Sequence, residues 1–248
     1  MQFKISIIIP VYNSQKYLRD CLDSVCYEVN GDVEIILIND GSNDNSKKIC
    51  LKYENNHDAI KFINLNKNKG VGHCRQLACK IAKGKFICFL DSDDKLLKNS
   101  IKNFLYQIGK YNKMDLFILR NTILGNDKID KNQIFIDTFN KLRSKPLINY
   151  IGDFNKFRPT CWNYLINNDF LKKNNISFSD NVTSEDWPFV AKITALAKNF
   201  KIINKPSYVY RKHTVNSLSS SHGFKAANAY LKTFLEIEYF LNKNKHKF

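Results

Sequence analysis

The stretch ISIIIPVYN, Ile5–Asn13, decides how this chain folds. Its apolar residues run on without alternating, so it does not describe a strand with one wet face. It reads as a strand buried on both faces, the kind found in parallel sheets. The run stops at Tyr12-Asn13, and Ser14 is placed to cap a helix whose Tyr17, Leu18, Cys21, Leu22 and Val25 recur at helical spacing. VEIILI, 33–38, repeats the pattern and stops at Asn39-Asp40-Gly41-Ser42. A helix carrying Ile49, Leu51 and Tyr53 follows, then a short strand, Ile60 to Leu65. Gly70 opens a helix with Leu77, Ala78, Ile81 and Ala82 on one face, ended by Gly84. Phe86 to Leu90 is a fourth strand and Ile101 to Ile108 a further helix.

Strand and helix alternating in this way predict a mostly parallel sheet flanked by helices. Ligands of such sheets sit beyond the carboxyl ends of the strands. Tyr12-Asn13, Asn39-Asp40-Gly41-Ser42 and Asp91-Ser92-Asp93-Asp94 all fall there, which places the expected site. The rhythm fades after Leu119, and Asn121 to Asn155 reads as Lys-rich loops with one short helix. Order returns at Cys161-Trp162-Asn163, a helix after Ser184, a strand from Tyr208 to Arg211 and an amphipathic helix from Phe224 to Leu241. A basic tail ends the sequence. With no internal repeat and no Gly/Ser-rich linker, the halves are expected to share one core.

The 248 residues are 44% hydrophobic and 25% charged, which is globular composition rather than disorder. No apolar run is long enough to span a bilayer. The start lacks a signal-peptide pattern, so a cytoplasmic location is expected. The seven cysteines are scattered with no CxxC pair, arguing against disulfides and zinc. A net charge of +16 points to acidic partners or to a solvated basic surface. A peripheral contact with anionic membrane at the inner face is one such expectation.

In FICFLDSDDK, Phe86–Lys95, three aspartates crowd the end of an apolar strand. Like charges so placed repel unless a cation or a proton intervenes. Aspartate oxygens suit Mg²⁺ or Mn²⁺, although Ser92 or Asp93 could instead cap the next helix. Asp40-Gly41-Ser42 fits either an ordinary turn or a carboxylate meeting a base. Arg75 is a surface charge or a pocket residue, Glu185-Asp186 a helix start or an acid–base pair, and Trp162 a core residue or a sugar platform.

The ordered set PVYNSQKYLRDCLDSV, EIILINDGSNDNS, NKNKGVGHCRQLACKIAKGKFICFLDSDD, TSEDWPFVAKI and YVYRKHTVNSLS resembles the inverting glycosyltransferases of family 2, with the GT-A fold. That resemblance covers Lys4 to Ser221. It implies a single domain over 1–248, with a nucleotide-sugar half (1–120), an acceptor and catalytic-base half (121–221), and a C-terminal helix and basic tail (222–248). It further implies that Pro10, Tyr12 and Asn13 line the nucleotide pocket, that Asp40 meets the base and that Arg75 assists there. Asp91, Ser92 and Asp93 form the DxD motif around ribose, diphosphate and metal. Arg211, His213 and Ser217 fold over the diphosphate, with His213 joining Asp91 and Asp93 as a metal ligand. Asp186 matches the general base, with Trp162, Glu185 and Asp94 toward the acceptor. Successive helical positions diverge by about a quarter-turn, so only one of Glu185 and Asp186 is expected to face the acceptor. Asn39 departs from the family in standing where many members carry an aspartate.

The implied reaction moves a hexosyl or N-acetylhexosaminyl group from a nucleotide-sugar, of which a UDP-sugar is the first expectation. The acceptor is a hydroxyl of a glycan or lipid-linked saccharide in capsule, lipooligosaccharide or related glycan synthesis. Mn²⁺ or Mg²⁺ is the implied cofactor. A nicotinamide-binding fold fails because the first strand is followed by Pro10-Val11-Tyr12-Asn13 rather than G-x-G-x-x-G. No helix interleaves Lys/Arg with aromatics as a nucleic-acid surface would, so no nucleic-acid partner is expected. A sugar-nucleotide-binding protein without transfer remains the first alternative, and a basic nucleic-acid-binding module the second.

Overall fold

The computed structural model describes residues 3–123, 160–179, 185–211 and 224–247. Ser184, His213, Ser217 and nearly all of the 121–155 segment lie outside them.

The two long apolar runs are the paired strands β1 (Ile5–Val11) and β2 (Val33–Asp40), buried along their whole lengths. They lie parallel, Ile5 opposite Val33 and Val11 opposite Asn39. β3 (Ile60–Leu65) adds to β2, and β4 (Phe86–Phe89) to the other side of β1, both parallel. Between β1 and β2 runs α1 (Leu18–Cys26), between β2 and β3 α2 (Ser46–Asn56), and between β3 and β4 α3 (Val71–Ile81). Right-handed crossovers put α1 and α2 on one face and α3 on the other, because the chain reverses direction across the sheet after β3. A crevice therefore opens between the ends of β1 and β4.

β5 is the two-residue strand Lys95–Leu96, followed by α4 (Ser100–Lys110) and β6 (Leu116–Ile123). β7 (Tyr164–Asn167) then runs antiparallel between β4 and β6. α5 (Asn168–Lys173), α6 (Asp186–Leu196), β8 (Phe200–Tyr210) and α7 (Phe224–Asn244) complete the described elements. β8 lies parallel to β6 and antiparallel to β5, giving the order β3-β2-β1-β4-β7-β6-β8-β5. Four of the seven pairings are parallel. Only five residues, Leu90 to Asp94, separate β4 from β5, yet four strand steps lie between them. In a flat sheet that gap is roughly 19 Å. The connecting loop turns back on itself, the Asp94 N–H donating to the Asp91 carbonyl at 3.0 Å. The sheet must curl to bring its far edge home.

Some expectations need correction. Ser14 does not cap α1 with its side chain; its hydroxyl donates to the Tyr12 carbonyl and pairs with Ser92, while its carbonyl accepts from Tyr17 and Leu18. Leu51 faces outward, and Ile49 and Cys50 take the inner face of α2. β8 begins at Phe200 rather than Tyr208. Exposed Asn204 and Lys205 interrupt its apolar pattern where its register with β6 shifts. All seven cysteines are free thiols. Among the described residues, no helix is long and apolar enough to cross a membrane.

One buried polar cluster locks β1, β2 and β4 together. Ser6 donates to Glu34 at 2.6 Å, and that carboxylate accepts from the backbone N–H groups of Lys83 and Gly84. A side chain at Gly84 would strike the Ser6 backbone and hydroxyl, so only glycine fits this approach.

Candidate active site

The loops after β1 and β2 meet in the crevice and hold each other. Asn13, at φ 48, donates its N–H to Ser42 Oγ at 3.0 Å and accepts from the Asn43 N–H at 2.8 Å. Ser42 in turn donates to Asn39 at 2.5 Å. Tyr12, in the same turn, keeps 47% of its surface exposed and offers a ring face to a ligand. Pro10 lies in β1 opposite Ile38 in the parallel register and has no N–H to give to the ladder. Asp40 behaves differently from the sequence expectation. It is 3% exposed, and its two carboxylate oxygens accept from the N–H groups of Lys69 and Gly70 at 2.7 and 2.9 Å. Its observed work is to hold the start of α3.

The aspartates after β4 separate into unlike environments. Asp91 reaches Arg75 with Oδ1 at 2.7 Å. Ser92 is buried, its hydroxyl 2.6 Å from that of Ser14. Asp93 receives the Arg211 Nε–H on its backbone carbonyl at 2.9 Å. Asp94 is buried, accepting from the Tyr208 hydroxyl at 2.7 Å and from the Arg211 N–H at 2.6 Å. Burial, reinforced by the Asp91 charge, pushes the Asp94 carboxyl up to about 8 despite these two donors. Arg211 also lies over the Tyr17 ring, 4.6 Å from its centroid.

Arg75 joins the two halves of the site. It is 3% exposed, and its Nη1 donates to Glu185 and Asp186, each at 2.6 Å, while Nη2 takes Asp91. It was expected at the nucleotide pocket as an assisting cation. The observed guanidinium is instead enclosed by carboxylates, which hold its pKa well above the ordinary value against desolvation. Glu185 and Asp186 do not diverge as expected, because Glu185 precedes the first full turn of α6 and both side chains converge on one nitrogen. Gly72 permits this, since a Cβ there would sit 3.1 Å from the Glu185 side chain. Asp186 Oδ2 accepts from the Cys161 N–H at 3.2 Å. Burial raises the Asp186 carboxyl to about 6, with Arg75 pulling it back toward ionisation.

The structure thus brings together Arg75, Asp91, Glu185 and Asp186, and beside them Asp93, Asp94 and Arg211. Trp162 is not available as an acceptor platform. It is 4% exposed and stacks on Tyr208 at 4.4 Å and on Tyr210 at 5.9 Å. Tyr208 is the residue that sequence reasoning missed. Besides serving Asp94, its hydroxyl accepts from the Asp91 N–H at 3.2 Å. Its signal lay in the quoted YVYRKH, read only as a strand.

The implied divalent ion can be tested against these residues. Three carboxyls, from Asp91, Glu185 and Asp186, share the Arg75 guanidinium, while Arg211 meets the Asp94 carboxyl with its backbone N–H and the Asp93 carbonyl with its guanidinium. Burial first and the Asp91 charge second raise the Asp94 carboxyl. Among the described residues no group of His, Cys, Asp and Glu forms a ready-made cage. Mg²⁺ and Mn²⁺ usually keep waters and share their shell with phosphate oxygens. The hard oxygen donors of Asp91 and Asp93 fit Mg²⁺ or Mn²⁺; His213 lies outside the described residues.

A crevice at the switch point of a curled, mostly parallel sheet, edged by aspartates and backed by a second acidic pair, defines a GT-A architecture. The same fold occurs in Staphylococcus aureus TarS 1-349 in complex with UDP-GlcNAc, at TM-score 0.77 and 24% identity, covering 94% of this chain and 66% of that one. The chain belongs to the family described as "Glycosyl transferase family 2", whose model matches residues 6–174. It is 30% identical to the poly(ribitol-phosphate) beta-N-acetylglucosaminyltransferase TarP of S. aureus, over 94% of this chain and 71% of that protein. It is 26% identical to the glycosyltransferase GlyG of Streptococcus pneumoniae, over 93% and 78%. With the teichoic acid poly(glycerol phosphate) polymerase of Staphylococcus epidermidis it shares 28% identity over 83% of this chain, spanning only 28% of that protein.

Proposed function

We propose that this domain transfers a sugar, with inversion, from a UDP-sugar to a hydroxyl of a bacterial surface polymer. The observation that carries the reading is the Arg75 bridge, which fixes the DxD edge at Asp91 and the acidic pair at Glu185-Asp186 within one site. A displacement reaction needs such a pair of stations, one for the departing diphosphate and one for the incoming hydroxyl.

Tyr12 stacks against the base in the turn held by Asn13. Asp91 and Asp93 would hold Mn²⁺ or Mg²⁺, which supplies positive charge to the leaving diphosphate when bound. Arg211, anchored on the Asp93 carbonyl and the Asp94 carboxyl, adds fixed positive charge on that side. Asp186 takes the acceptor proton at Oδ2, which otherwise accepts the long bond from the Cys161 N–H. Its raised pKa makes it a stronger base than an exposed aspartate while Arg75 keeps it ionised at neutral pH. Relatives named for poly(ribitol phosphate) and poly(glycerol phosphate) support a polymer acceptor.

A panel of UDP-, GDP- and dTDP-sugars, scored for thermal stabilisation with and without Mn²⁺, tests this directly. A UDP-sugar should stabilise most, and chiefly with the metal present. Stabilisation by none of them would remove the donor half of the proposal.

A further inference from the structure

A groove of about 810 Å³ lies between the start of α1 and α2, lined by Lys16, Arg19, Lys48 and Lys52 over Ile49. No carboxylate lines it, and none of these four cations forms an ion pair among the described residues. Elsewhere cations do find partners, as in Lys4–Asp32 and Lys192–Glu236. Asp44, next in sequence to the groove residue Asn45, turns its carboxylate to the N–H groups of Gln15 and Ser46. Four like charges in one concavity with no carboxylate in its lining repel one another, and an anion relieves that repulsion.

The groove also communicates with the transfer site. Lys16 Nζ lies 5.1 Å from the centroid of the Tyr17 ring, over which Arg211 lies as well. Lys16 and Arg211 thus share the Tyr17 ring, and Arg211 also reaches Asp20 at 3.5 Å and the Asp93-Asp94 loop. Lys48 and Lys52 stand one helical turn apart, about 6 Å along α2. This arrangement matches a chain with repeating negative charges. A bilayer is a poorer fit, because the surface is concave and its one apolar residue, Ile49, is buried. Nucleic acid is a poorer fit, because no aromatic lines the groove to stack a base.

We propose that this groove binds a phosphodiester segment of the acceptor polymer, at a distance from the hydroxyl that receives the sugar. The inference rests on the reading above of a transferase acting on a surface polymer. The test uses the full chain, a Lys48→Gln/Lys52→Gln variant and a Lys172→Gln/Lys173→Gln control, whose exposed lysines lie on α5. Affinity for poly(glycerol phosphate) of defined length is measured at low and physiological salt, beside UDP-sugar binding.

The groove variant should lose about tenfold or more in polymer affinity at low salt and show a shallower salt dependence. The control should change little, and UDP-sugar binding should be the same in all three. Equal losses in both variants would mean net charge alone, and no loss in either would empty the groove of any role; both overturn the proposal. So does a loss confined to anionic vesicles or to single-stranded DNA, which would assign the groove to a membrane or to nucleic acid. If no UDP-sugar binds while polymer affinity still follows Lys48 and Lys52, the transferase reading fails and the polyanion groove stands. If sugar transfer proceeds and polymer affinity ignores those lysines, the groove alone fails.

Discussion

Replacing Arg75 by methionine removes a cation that is 3% exposed and leaves Asp91, Glu185 and Asp186 facing one another. Removing one partner of a buried ion pair costs about 3–5 kcal/mol. The three carboxylates are 15–28% exposed, so water and local relaxation recover part of this, and about 3 kcal/mol is expected at pH 7.5. For a chain of this size that corresponds to a fall in Tm of about 6–12 °C. The loss should depend on pH in a definite direction. Without Arg75 the Asp186 carboxyl rises further above its unfolded value. A raised carboxyl destabilises the fold above the unfolded pKa, and the penalty grows as pH climbs through the folded pKa. The deficit of Arg75→Met should therefore shrink between pH 7.5 and pH 5. Arg75→Lys, which keeps the charge but cannot span three carboxylates as a fork, should fall between the two. Urea unfolding of all three proteins at both pH values, with divalent ions removed, measures this. A variant as stable as the parent at pH 7.5, or a deficit that deepens at pH 5, refutes the account of Arg75 as a buried charge bridge.

Three further outcomes are expected. Asp186→Asn should retain UDP binding yet lose on the order of 10²–10⁴ in transfer rate, and the parent's rate should fall with acid below about pH 6, as Asp186 protonates; near-parent transfer by the variant would move the base elsewhere. Chelation should abolish transfer and added Mn²⁺ restore it, with Asp93→Asn weakening stabilisation by UDP plus Mn²⁺ more than it alters the free protein; full activity in excess chelator would remove the metal from the scheme. Gly84→Ala, whose Cβ would lie 2.6 Å from the Ile5 carbonyl carbon, should cost about 1–3 kcal/mol or more in urea unfolding and leave the UDP affinity of the folded fraction intact.

The sequence made the first half of this fold readable because β1 and β2 are buried on both faces and so are written as unbroken apolar runs. The pairing of β6 with β8 was not readable. It joins segments far apart in sequence, and Asn204, Lys205 and Pro206 break the apolar pattern where the register shifts. The positions of the site residues were legible from the ends of the strands, but their directions were not. Nothing in HCRQLACK tells that Arg75 turns inward to three carboxylates rather than outward to a nucleotide. Trp162 could not be told from a sugar platform until Tyr208 was seen lying flat against it. Asp91 and Asp94 look alike in the string SDD and its neighbours, and differ because one meets a guanidinium and the other a tyrosine hydroxyl.

The pairing of β5 with β8 also sets a timetable for synthesis. As the chain leaves the ribosome, β1 to β4 can pair once residues up to Phe89 are free, with only the outer edge of β4 left waiting for β7. The aspartate loop that follows cannot. Lys95 and Leu96 have no strand to join until Val209 and Tyr208 emerge, and Asp94 has neither the Tyr208 hydroxyl nor the Arg211 N–H before then. The Asp91–Asp94 loop therefore takes its final form only after the segment through Arg211 has been made. A nascent or truncated product that stops short of β8 carries every DxD residue and still lacks the geometry to use them.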